Sequence, residues 1–195
     1  MALTTYVSGE VLTAASLNDN LVFAAANPVA VPGGLVCVKA ETAFTSAASV
    51  TADGILTSSY TNYLLLVNYT TSTTVFASLK LRASATSAST NYNRQYVNGN
   101  DSSVAAARAS AASSYDFGFY TNGDYKSSAR IEMFAPQLAQ ATNFISLNAV
   151  SPGGYSAINM FMSGNHTTAT AYDGIELLVA SGTITGTYTI YGYRK

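Results

Sequence analysis

At Asn27-Pro28 the chain changes material, and that break constrains the fold more than any other feature. Ahead of it, Tyr6-Val7-Ser8-Gly9-Glu10-Val11-Leu12 reads as a short arm, and Thr13 to Leu21 as a small helix. Thr13 is placed to cap that helix, and Leu17 and Leu21 share one of its faces. The residue before a proline is pushed out of helical geometry, so the helical signal stops there. From that point to Lys195 the pattern is the alternation of strands, with a period of two. A helical tag ahead of a β-rich body suits a part that plugs into something larger better than it suits a catalyst.

The expected organisation is therefore an arm with a short helix over 1–27, a stiff-then-flexible linker over 28–34 (Pro28-Val29-Ala30-Val31-Pro32-Gly33-Gly34), and a body over 35–195. Strands are predicted at 35–40, 46–51, 62–70, 75–84, 91–98, 115–120, 129–135, 143–149, 157–162, 167–172, 175–180 and 183–193. Many short strands between Gly, Asn, Asp and Ser turns predict an all-β antiparallel sandwich or barrel.

Alternation is clearest where Leu79 and Leu81 face one way and Ser78, Lys80 and Arg82 the other. Ile131-Glu132-Met133-Phe134 repeats it, as does Phe144-Ile145-Ser146-Leu147-Asn148-Ala149-Val150. Tyr63-Leu64-Leu65-Leu66-Val67 is apolar on both faces and reads as a central strand, covered on its second side by its own fold or by a neighbouring subunit. The stretch 83–112, rich in Ala, Ser and Asn, reads as a long loop or a marginal strand. The carboxyl-terminal stretch reads as a hairpin turning at Ser181-Gly182, with Ile184, Tyr188 and Ile190 on one face and Gly186 and Gly192 allowing close backbone approach.

Charged residues make up only 10% of the chain, against about a quarter in ordinary soluble domains. Ser and Thr, roughly a quarter of all residues, must supply the solubility instead. Such a surface suits molecules packed side by side in an assembly. The net charge of −1 and the scattered Lys and Arg leave no basic stripe for a run of phosphates, which argues against nucleic acid. The single cysteine, Cys37, excludes an internal disulfide framework and reads as a small buried apolar residue in a strand. The apolar stretch 21–38 is broken by Asn27, Pro28, Pro32 and Gly33-Gly34 and cannot be a membrane helix. Met1-Ala2-Leu3-Thr4-Thr5 has neither the charge nor the following apolar core of a secretory signal, so folding in a cytoplasm is expected.

Catalytic readings find little support. The one histidine, His166, sits in what reads as a turn entering a strand, and no Gly-x-Ser-x-Gly elbow accompanies it. One Cys and one His make no zinc cluster. Glycoside hydrolysis needs two converging carboxylates, and Asp101, Asp116, Asp124, Asp173 and Glu176 are the scattered candidates. Calcium would also need Asp-rich loops, but no Asp-x-Asp spacing is present. No catalytic, metal or cofactor residue is therefore assigned. Binding fares better: Tyr92, Tyr96, Tyr115, Tyr120 and Tyr125, interleaved with Asn, pair flat apolar rings with amides, the mixture a glycan needs. The same tyrosines could equally pack between strands or subunits.

Two segments carry a resemblance. Tyr6 to Asn18, with its aromatic, Gly-acidic, Leu-Thr-Ala and Leu-Asn elements, resembles the amino-terminal signature of tailed-bacteriophage tail fibres and related virion appendages. Tyr60-Thr61-Asn62-Tyr63 and Gly182-Thr183-Ile184-Thr185-Gly186-Thr187 are similar to elements of phage fibre and decoration domains. The resemblance implies a non-enzymatic, homotrimeric virion protein assembled in the host cytoplasm. In it Tyr6, Gly9, Leu12, Leu17, Asn18 and Leu21 would dock on other virion proteins, and a jelly-roll-like β-sandwich would project toward the host surface. A linker of about seven residues is no extended shaft. That favours a short tail fibre or fibre tip, with a head fibre or capsid decoration protein as the alternative. A free carbohydrate-binding module of the same fold is the alternative of another class.

Overall fold

The computed structural model describes residues 34–100, 102–118, 126–150 and 158–195. The expected arm and helix over 1–27 and the linker up to Gly33 lie outside the described residues. Leu35–Lys195 packs as one unit. Its strands are β1 (Leu35–Ala47), β2 (Ser49–Ala52), β3 (Asn62–Thr71), β4 (Ala77–Ala83), β5 (Thr86–Ser87), β6 (Tyr92–Asn100), β7 (Ser103–Ala112), β8 (Tyr115–Asp116), β9 (Ser127–Phe134), β10 (Thr142–Val150), β11 (Ile158–His166), β12 (Gly174–Val179) and β13 (Ile184–Tyr193). The described part is all-β, and every strand pair is antiparallel.

Eight strands form one sheet in the order β1-β13-β3-β9-β10-β11-β6-β7. A smaller sheet runs β2-β12-β4-β5, with β8 on the same edge of β4 as β5. One core joins them: Leu65, Val67, Ile131, Met133, Met160, Met162 and Ile190 from the large sheet meet Leu79, Leu81, Ile175 and Leu177 from the small one. Here the expected alternation holds, since Ser78, Lys80 and Arg82 face away from that core while Leu79 and Leu81 are fully buried. β3 lies inside the large sheet, with Leu64 buried on its second face and Leu66 exposed there.

The motif Tyr60-Thr61-Asn62-Tyr63 has a plain structural job at the entry to β3. The Tyr63 hydroxyl donates to the Thr57 carbonyl at 2.7 Å and accepts from the Thr57 N–H at 2.6 Å, pinning the preceding loop. Asn62 Oδ1 accepts the Ala135 N–H at 3.2 Å. Tyr60 lies against Gly192, where an added Cβ would sit 2.3 Å from its ring, so only glycine leaves room.

Four expectations are corrected. The terminal hairpin does not exist: β12 pairs with β2 and β4, β13 with β1 and β3, and Ser181-Gly182 carries the chain from one sheet to the other. Gly182 has φ +71° there, as a sharp turn requires, but a local turn signal does not say which sheet receives the next strand. Of the long loop or marginal strand expected at 83–112, the loop is the alternative corrected, because β5, β6 and β7 occupy most of the stretch and β6 covers the strand predicted at 91–98. The strand predicted at 167–172 is absent. Cys37 is exposed rather than buried, since it stands on β1, the edge strand of the large sheet.

β10 departs most informatively. Its alternation sets Ile145 and Leu147 on one face and Ser146 and Asn148 on the other, without fixing which faces inward. In the structure the polar pair is inside: Ser146 and Asn148 are buried, while Ile145 and Leu147 are 38% and 51% exposed. Register explains it, because shifting a strand by one residue would flip every side chain. Phe144 pairs opposite Met133, and Ser146 lies opposite Ile131 and Met162, all on the inner face. A small residue is needed at 146 because the buried Tyr115 ring stacks on Phe144 at 4.7 Å and sets its hydroxyl 3.1 Å from Ser146 Oγ.

Candidate functional site

The outer face of the large sheet is where the chain breaks the usual polarity of a surface. Successive register partners across six strands carry Leu66, Arg130, Leu147, Phe161, Val97 and Ala106 in one row. Ile145 flanks that row on β10 and Val104 lies beside it on β7. Phe161 is 48% exposed and Val97 45%. The charges crossing the row are self-compensating, since an Arg130 terminal nitrogen meets Glu132 Oε1 at 2.5 Å. The outer face of the small sheet is built the opposite way, from Thr51, Lys80, Arg82 and Glu176, with Arg82 Nε held 2.7 Å from Asp53 Oδ1.

That asymmetry is chemical as well as visual. Water gains nothing from covering Leu147 and Phe161, and a second apolar surface would release it at about 25 cal/mol per Å². Contiguous patches of this kind mark interaction sites in soluble proteins. The register of β10 places two large aliphatic side chains on this face and small polar ones on the other.

The residues expected to touch glycan are dispersed. Tyr92 and Tyr115 have no exposed surface, and burial raises the pKa of both hydroxyls. Tyr92 donates no face to solvent: its ring packs 4.4 Å from His166 and its oxygen accepts the Leu81 N–H at 2.8 Å. Both are therefore core residues and leave the glycan-contact set, because the strands that carry them point them between the sheets. Tyr96 is half-buried, with its ring 6.1 Å from that of Phe76. Tyr120 and Tyr125 lie outside the described residues, as do Tyr6, Gly9, Leu12, Leu17, Asn18 and Leu21.

His166 ends β11 and is 1% exposed, rather than sitting in an open turn. Its Nδ1 lies 3.2 Å from the Tyr172 hydroxyl, and burial holds its pKa below the usual value. It packs against the rings of Tyr92 and Tyr172 as a core side chain. Among the candidate carboxylates, Asp116 is buried against Arg94, while Asp173 Oδ2 accepts the Ser84 N–H at 3.3 Å. Asp101 and Asp124 lie outside the described residues. Among the described residues no group of three or more His, Cys, Asp or Glu stands ready to hold a metal.

Sequence reasoning missed the outer-face residues Leu66, Val97, Ile145, Leu147 and Phe161 as a set. The available signal was that both parities of β10 and β11 hold large apolar side chains, Phe144 beside Ile145 and Met160 beside Phe161. Comparison of the chain with protein-family models, curated proteins and solved structures finds no match.

Proposed function

We propose that the chain is a bacteriophage virion structural protein, a short homotrimeric tail fibre or fibre tip that contributes to host-surface attachment and performs no catalysis. The observation that carries this reading is the apolar outer face of the eight-stranded sheet, which copies of the same chain would cover. A ring of three heterologous contacts buries such a face without leaving an open end. Docking on the particle falls to Tyr6, Gly9, Leu12, Leu17, Asn18 and Leu21, on the strength of the motif they form.

Strand order supports a jelly-roll-like sandwich. β1-β13-β3-β9 and β2-β12-β4-β5 match the two four-stranded halves of that arrangement, and the chain crosses between sheets at β1–β2, β2–β3, β3–β4, β5–β6, β7–β8, β8–β9, β11–β12 and β12–β13. β6–β7 and β10–β11 then read as insertions that widen one half. The short linker favours a compact attachment and supports, as second reading, a head-fibre or capsid decoration protein.

Sedimentation of the full chain tests the assembly, with a three-chain species expected and a monomer at every concentration overturning it. Deleting residues 1–27 is expected to abolish incorporation into particles while leaving a folded oligomer. Normal incorporation of the deleted form would refute docking. Electron microscopy of particles carrying a labelled chain separates tail from head.

A further inference from the structure

A cleft of about 510 Å³ opens where β6 and the β7–β8 connection pass the edge of the small sheet. Its lining is mixed: apolar side chains from Val75, Phe76, Leu178 and Ala180, and polar ones from Arg94, Ser114, Asp116 and Ser78. Asp116 is held rigidly. Its Oδ1 accepts from Ser78 Oγ at 2.6 Å and from Ser114 Oγ at 3.4 Å, and its Oδ2 meets an Arg94 terminal nitrogen at 2.5 Å. A bulge in β7 opposite Tyr92 and Arg94, with Ala111 at φ +52°, bends the strand beside this pair.

Two properties of the pair define a ligand. The Arg94 side chain is only 18% exposed, yet its guanidinium is a fork of N–H donors of which a single nitrogen is spent on Asp116. Arg94 is part of the lining of the cleft together with Asp116. Arginine and carboxylate together are neutral, so the site gains nothing from a net charge on its ligand. It offers donors and acceptors side by side, which suits hydroxyls that accept from Arg94 and donate to Asp116. The apolar side chains in the same lining suit a flat C–H face. The volume falls within the range of small-molecule sites.

We propose that this cleft binds a neutral pyranose sugar, its hydroxyls on Arg94 and Asp116 and its apolar face against Phe76 and Leu178. The proposal gives the attachment reading a ligand class and rests on that reading only for the source of the sugar. The tyrosines marked by the sequence are not needed for it. Rather, the site is assembled from residues far apart in the chain, one of them an acid first weighed as a hydrolase candidate.

Saturation-transfer NMR on the full chain, titrated with methyl β-glucoside, methyl β-galactoside, N-acetylglucosamine and glucuronate, tests it. At least one neutral sugar is expected to saturate, with glucuronate weaker. Asp116→Asn is expected to weaken that sugar about tenfold, the effect of losing a charge-assisted hydrogen bond. Because Asp116→Asn strips a buried ion pair, Ala180→Trp provides an independent block at an exposed rim position, and circular dichroism checks that both variants fold. Saturation by none of the neutral sugars, tighter binding of glucuronate, or wild-type binding by Ala180→Trp would each overturn the proposal. Particle incorporation is measured separately. A chain that binds sugar here but stays out of particles overturns the virion reading alone.

Discussion

His166 shows how a single side chain ties this fold to pH. Its folded-state pKa is lowered by burial from 6.5, so protonation favours the unfolded chain. The stability it contributes is present above about pH 6.5 and is lost as pH falls below that value toward the folded pKa. The melting temperature is expected to drop between pH 7 and pH 5, and in His166→Gln that slope should flatten even if the melting point itself is lower. Thermal scans at four pH values check it; an unchanged slope in the variant would remove His166 as the cause. Asn148 is a second residue under tension. It is 5% exposed, and neither amide atom has a hydrogen-bond partner among the described residues. Since an unpaired buried polar group costs about 1 to 3 kcal/mol, Asn148→Leu is expected to raise unfolding free energy by a similar amount, read by urea denaturation.

Elements were legible to the extent that local pattern alone defines them. Strands at 129–135 and 183–193 are legible from their alternation and that at 62–70 from its unbroken apolar run, and Ile184, Tyr188 and Ile190 do share a buried face. Periodicity gives parity, however, and not which parity faces inward. On β10 that choice is made by Tyr115 and by the register with β9 and β11, none of which is local. β7 carries almost no pattern because Ala dominates it, and it is held by pairing with β6 rather than by an apolar face. The site was less legible than the fold: burial took Tyr92 and Tyr115 away from any ligand surface, and the Arg94–Asp116 pair joins two strands that composition does not link. The outer side of β10 gives a direct test of assembly. Leu147→Glu puts a charge where a neighbouring copy would have to desolvate it, and association is expected to weaken by at least about tenfold. Sedimentation reads the association, while an unchanged far-UV spectrum shows that the strand itself tolerates the change.

At the scale of the whole molecule, sparse ionisation sets the response to salt. With 10% charged residues and a net charge of −1, little of any association can be electrostatic. The proposed trimer is expected to persist unchanged from about 50 mM to 1 M sodium chloride, a range that shrinks the Debye length severalfold. Dissociation in high salt, measured by sedimentation, would shift the driving force to ion pairs. The pairing of Leu35 with Tyr193 has a consequence of its own. Cross-strand partners stand only about 5 Å apart, so a short glycine bridge from Lys195 to Leu35 closes the body into a continuous loop. Cutting that loop at the exposed stretch 138–141 gives a circular permutant of 35–195. It is expected to regain the parental spectrum and melt within a few degrees of the unpermuted body, because every strand keeps its neighbours while only the order of synthesis changes.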